Sequence, residues 1–376
     1  MKFRKGIFLV VLILVLMITS SAYAAGENVQ GIESKDQKNA VGIQTAQIVG
    51  ERFLQESGIE NWNQSTLVYS ETFYDLDETE SAYYFLVNFN NKQDGYIIVS
   101  AIKERGPILQ FGQGTLEFDK TKGSKGYFLG LQIIYSDSGS ELLSKSVNID
   151  KKSSEQNPGV RTLKKTPESS VPVWDKYLSL EKSITPMIVY PTSKELAVTR
   201  VWQRTPGVNH PTTSCGPATA AMIVNYYNYV RGYSLKGSYY YFSDAAFINH
   251  LYTDLGTGSL GTSLSSAYTG LLTHLNHDYT LYFRGMSYNS GVGNYGVYKD
   301  AIMSNNPVAI RYNYFVSSDS YTNYHFVAGN GFKTVSGVDY FGVKDPDYGE
   351  NYTATQWINW LTNDDDFGMI LTFPQT

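Results

Sequence analysis

Cysteine is almost missing from this chain of 376 residues, with Cys215 the single example. No intrachain disulfide can form, which excludes the small folds held by such staples. Basic charge is short as well: 30 Lys and Arg stand against 35 Asp and Glu, a formal net charge of -5. A mildly acidic chain lacks the basic field that displaces counterions from phosphates, so no nucleic-acid partner is expected. After the first two dozen residues no apolar run approaches the ~20 that a membrane helix needs. The chain is nevertheless 42% hydrophobic and 14% aromatic, too apolar for disorder. Its length suits two domains, each able to bury a core.

The start of the chain is read apart from the fold. Lys2, Arg4 and Lys5 precede an unbroken apolar run over 7–18, and Ala22-Tyr23-Ala24 follows with small residues at both recognition positions. This is the layout of a secretory signal peptide over residues 1–24, with a run too short to cross a bilayer comfortably. A secreted or extracellular protein is expected, with no stable membrane insertion once the signal is removed. Export gives the lone thiol meaning. In an oxidising compartment a free cysteine is at risk of oxidation and mispairing, so Cys215 is a candidate nucleophile. A buried cysteine acting as a small hydrophobe is the competing reading.

Residues 26–150 read as one small α+β domain. Apolar spacing over 44–54 predicts a helix, with Gly58 as its stop. Strands are predicted over 67–74, 82–89, 95–100 and 108–118, with a polar turn over 90–95, and a second helix over 126–144. Residues 151–196 read as a linker and connecting segment. The stretch 151–170 is its most polar, charged and proline-bearing part. Residues 197–376 are rich in Tyr and Gly and form a second domain; no fixed-period repeat is visible.

The segment 212–227 carries the chemistry. Thr213 or Ser214 can cap a helix, Pro217 fits its first turn, and Ala218, Ala221, Met222 and Asn225 share a face. Cys215 then sits at a helix N-terminus, where free amides favour a nucleophilic sulfur and can receive an oxyanion. Such a nucleophile needs a base, and five histidines are available: His210, His250, His274, His277 and His325. His325 lies in an apolar run over 324–332, where a buried imidazole requires a partner. The next strand, over 338–346, ends in Asp345. Two adjacent antiparallel strands would set Asp345 beside the His325 ring, fixing its tautomer and stabilising the imidazolium.

Ser214-Cys215-Gly216-Pro217-Ala218, His325 ahead of a small-residue strand, and Asp345-Pro346 resemble the papain-fold cysteine peptidases related to bacteriocin-leader (double-glycine) processing enzymes. The resemblance covers roughly 201–365. Trp202-Gln203 is similar to the segment that supplies an oxyanion-hole glutamine in that fold; a packing role is the alternative for Gln203. The stretches 83–89, 95–101 and 107–109 resemble the inhibitory propeptide of streptopain-type cysteine peptidases. The ending Asp345-Pro346 departs from the streptopain pattern toward the leader peptidases, which leaves the substrate open between the two lineages.

The resemblance implies an α+β fold, with a papain-like domain behind a small α+β prodomain. It implies a peptidase made as a proenzyme, using Cys215, His325, Asp345 and Gln203 on a peptide or protein substrate. The N-terminal domain would be its intramolecular inhibitor, tethered at high effective concentration, and cleavage within 151–170 would release it. No metal or organic cofactor is required. Two rivals are a cell-wall peptide amidase of the same fold and a noncatalytic secreted binding protein. His274 and His277 with Asp278 form a weak metal candidate. The acidic stretches 345–349 and 364–366 complete no calcium loop and read as solvated turns. The 31 tyrosines suit half-buried strands, or a peptide- or glycan-binding cleft.

Overall fold

The structure is a computed structural model that describes residues 39–150, 171–178, 192–277, 282–288, 295–312, 324–363 and 367–375. The signal-peptide reading over 1–24, the linker stretch 151–170, Asp278 and the acids 364–366 lie outside the described residues.

The first half follows its apolar pattern. Helix α1 (Ile43–Glu56) buries Ala46, Val49, Gly50, Phe53 and Leu54 on one face, the 3.6-residue stripe that a sheet-packed helix needs. Gly58 takes φ +64 just beyond it. Strands β1 (Thr66–Tyr74), β2 (Glu80–Phe89), β3 (Lys92–Ser100) and β4 (Ile108–Gln113) form an antiparallel meander. The turn expected over 90–95 shrinks to Asn90-Asn91. Both residues adopt positive φ, 50° and 61°, as asparagine tolerates in a two-residue hairpin turn. Lys92 to Gly95 are therefore strand. β4 ends at Gln113 rather than 118, because Gly114 turns the chain at φ +83.

The helix expected over 126–144 is a hairpin followed by a helix. Strands β5 (Lys125–Leu129) and β6 (Gln132–Ser136) precede α2 (Gly139–Asp150). Tyr127, Phe128, Ile133, Ile134 and Tyr135 favour a pleated surface, and Gly130, at φ +87, makes the turn. Inside the connecting segment 151–196 lies a helix that the sequence reading did not anticipate, α3 (Val171–Leu178). Its Trp174 is fully buried and donates Nε1–H to the Arg105 carbonyl at 2.7 Å.

The second half runs β7 (Ser193–Glu195), α4 (Cys215–Asn225), α5 (Asp244–Asp254), α6 (Leu264–Leu275), β8 (Tyr282–Tyr288), α7 (Tyr295–Met303), β9 (Val308–Tyr312), β10 (His325–Val335), β11 (Val338–Lys344), β12 (Gln356–Asn359) and β13 (Phe367–Gln375). The strands of both halves form one sheet in the order β6-β5-β1-β2-β3-β4-β12-β11-β10-β9-β13-β8, and β7 pairs with β10. The join is antiparallel, with Phe111 opposite Trp357 and Gln110 opposite Ile358. Residues 39–376 make one compact unit. The core under α1 is shared across the join: Phe53, Phe111 and Trp174 lie in one cluster with Val335, Val338, Tyr340 and Trp357. The fold is α+β, as expected, with a papain-like second half behind a β-rich first half.

Candidate active site

All eleven residues of α4 are buried, as befits a helix apolar on every side. Its small residues permit close neighbours. A Cβ added to Gly216 would stand 2.6 Å from Thr262 Oγ1. The helix starts beyond a tight turn over Pro211–Thr213. Neither expected cap forms. The Ser214 hydroxyl donates backward to the His210 carbonyl at 2.7 Å, and the Thr213 hydroxyl pairs with the Tyr252 hydroxyl at 3.1 Å. No side chain caps the helix, so its first amides keep their hydrogens for another acceptor.

His325 opens β10, and the β10–β11 register brings Asp345 to it. Ala328 pairs with Lys344 and Gly329 with Val343. Extending that pairing sets Asp345 opposite Val327, on the same sheet face as His325. His325 Nε2 lies 2.7 Å from Asp345 Oδ1. The Cys215 side chain is the imidazole's other polar neighbour and acts with Asp345 to favour its charged form. A helix, a strand and the loop after the next strand thus bring Cys215, His325 and Asp345 together.

The electrostatics follow from that contact. Burial opposes a charge on His325, but the Asp345 carboxylate and the Cys215 sulfur outweigh it, raising the imidazole pKa well above its ordinary value. Burial pushes the Asp345 carboxyl up, yet His325, the Asp347 amide and Arg200 together hold it below the usual carboxylate range. An imidazolium–carboxylate pair is the stable form.

Gln203 is buried, 1% exposed. Its backbone N–H donates to the Pro346 carbonyl at 2.9 Å, and Nε2 donates to the Pro211 carbonyl at 2.8 Å. The side chain therefore reaches the turn that leads into Cys215, rather than any of the other three side chains. One amide hydrogen remains for another acceptor, and Oε1 has no partner.

Two arginines that the sequence reading passed over hold this region. Arg200 Nε donates to the Asp345 carbonyl at 2.5 Å, and its Nη1 to the Gly349 carbonyl at 3.0 Å. Arg204 grips Asp347 with two bonds, of 2.5 and 3.2 Å. The stretch 345–349 is therefore not a solvated turn, because Asp345 is buried and Asp347 is neutralised by Arg204. Arg200 and Arg204 flanking Gln203, with acids at 345 and 347, were the available signal. Only the fold shows that the two segments meet.

Cys215 is covered, at 4% exposure. Leu131, at the β5–β6 turn, is 1% exposed and belongs to the apolar cluster that holds Cys215. Among the described residues it is the one member of that cluster from the first half. Beside it, a cavity of about 140 Å³ is lined by 117–119 and 131–133 on one side and by Asp345 and 347–349 on the other. Of the weak metal candidate His274, His277 and Asp278, the last lies outside the described residues, and the His274 ring lies against Asp254 and the Lys236 carbonyl.

Residues 195–364 match the family model described as Peptidase_C39 like family. Residues 38–128 match the one described as Spi protease inhibitor. No curated protein matches the chain.

Proposed function

We propose that this chain, a Peptidase_C39-like domain behind a domain of the Spi protease inhibitor type, is an exported cysteine peptidase made as a proenzyme. The observation that carries the reading is the His325–Asp345 hydrogen bond, with Cys215 acting on the same imidazole from the start of an uncapped helix. The Cys215 sulfur attacks a peptide carbonyl carbon, with its proton held on His325. The carbonyl electrons move onto oxygen, which the Cys215 amide and the second Gln203 Nε2 hydrogen receive. Collapse expels the amine, which takes the His325 proton and leaves a thioester. Water, deprotonated by His325, then hydrolyses the thioester and restores the thiol. Asp345 keeps the ring in one tautomer throughout.

The first domain acts as the inhibitor in this reading, and its working part is the β5–β6 turn. Leu131 shares the apolar cluster of Cys215, and 131–133 line the cavity next to Asp345. A bound peptide would have to displace this hairpin tip. The test is alkylation of secreted protein, before and after activating proteolysis, by an epoxide probe traced to its residue. Proteolysis should expose Cys215 to the probe and switch on casein hydrolysis, and Cys215→Ala should abolish both. An unlabelled, inactive protein after every cleavage would favour a noncatalytic binding role.

A further inference from the structure

We infer that His250, Asp254 and His274 form a binding site for one divalent transition-metal ion, with zinc the best match. His250 and Asp254 are one turn apart on α5, hence on one face, and α6 brings His274 against them. Asp254 Oδ2 lies 3.0 Å from His250 Nε2 and 2.9 Å from His274 Nδ1. The three donor atoms all fall within 4.8 Å of one another.

The buried ring of His274 supplies the decisive detail. Its Nε2 lies 2.9 Å from the Lys236 carbonyl, so that nitrogen donates there and Nδ1 is the ring atom left to face Asp254. Asp254 Oδ2 thus faces two ring nitrogens at once, His274 Nδ1 and His250 Nε2. An ion among the three atoms would take one donor from each side chain. The Lys236 carbonyl is the kind of outer partner that fixes a metal-ligating histidine. Two imidazoles and one carboxylate suit zinc and its neighbours rather than calcium or magnesium, at bond lengths of about 2.0–2.2 Å. Tyr241 stacks on His250 with ring centroids 4.4 Å apart, and Phe247 packs on His274 at 5.4 Å. His250 and Asp254 are half-buried, which gives the ion an entry path and leaves its fourth position for water.

The ion would pin the end of α5 to α6 and to the segment 236–241. That segment runs into an exposed aromatic surface, where Tyr239 is 86% and Phe242 95% exposed. The site shares no residue with the proposed peptidase centre.

The test uses the full chain carrying Cys215→Ala, which removes the other strong zinc-binding atom and makes the readout independent of peptidase activity. The protein is stripped with a chelator and titrated with zinc against a chromogenic chelator. One ion per chain should bind and raise the melting temperature. His250→Gln, at a half-exposed position where folding is retained, and Asp254→Asn should each weaken binding by about tenfold or more. Absence of zinc binding, or binding that both variants leave unchanged, overturns the proposal.

Discussion

Asp345 serves two partners at the residue scale: its side chain holds His325, while Arg200 holds its carbonyl. Asp345→Ala would leave a buried imidazolium without its counter-charge. We expect turnover to fall roughly 10²–10⁴-fold and stability to fall by about 3–5 kcal/mol, read by peptide hydrolysis and urea unfolding. The pH dependence follows from the directions of the shifts. His325 is raised above its ordinary 6.5, so its contribution is complete below that pH and is lost as pH rises through the raised value. Asp345 is lowered from 3.8, so its contribution is complete above that pH and is lost as pH falls through the lowered value. Urea midpoints against pH should therefore show a mildly acidic plateau, between 3.8 and 6.5, that Asp345→Ala flattens on both sides. Arg200→Ala should reduce turnover with little change in substrate affinity, since Arg200 positions the loop and not the peptide. A variant kinetically equal to the parent would refute that role.

At the scale of elements, the β5–β6 hairpin and helix α4 contribute to one apolar cluster, through Leu131 and Cys215. Leu131→Ala should cost about 2–5 kcal/mol, as for other buried leucines, and should speed alkylation of Cys215 in the uncleaved chain. A thermal melt and a timed labelling series measure both, and unchanged labelling would remove Leu131 from the cover. Gly216→Ala should destabilise by about 1–3 kcal/mol, because the new methyl meets Thr262 in a filled space. Much of this level was legible from local pattern. The capped look of 212–217, the apolar run at 324–332 and the acid closing the next strand are all local signals. The 126–144 region was not legible as a hairpin, since aromatic residues interleaved with polar ones fit a helix face as well as a strand. The turn glycine, Gly130, was the feature to weigh.

For the molecule as a whole, the two halves are joined more firmly than a tether would join them. β4 pairs with β12, and Tyr340 and Trp357 complete the core beneath α1. The Asn359 side-chain amide adds a bond to the Ile108 carbonyl at 3.1 Å. Removing the first half would strip a sheet edge and expose side chains worth about 1.5–3 kcal/mol each in burial. Cleavage within 151–170 should therefore nick the chain without releasing the first domain, contrary to the expectation drawn from the linker alone. The two fragments should co-elute on gel filtration and separate only in denaturant. Separation in plain buffer would show that the join is weak. On the proposed reading, activation then requires the 129–133 tip to move, or the first domain to be digested.

Sequence alone determined the elements whose signals are short-range: a cysteine opening a small-residue helix, a histidine opening a buried strand, and a register that carries an acid to that histidine. Periodicity, turn chemistry and strand pairing act over a few residues, so they can be read in one dimension. Only the tertiary structure decided that Leu131 joins the apolar cluster of Cys215, that Arg200 reaches the loop at 345–349, and that a single sheet runs through both halves. Those contacts join segments far apart in the chain, and they depend on shape and on buried polar groups finding partners, for which no local pattern exists.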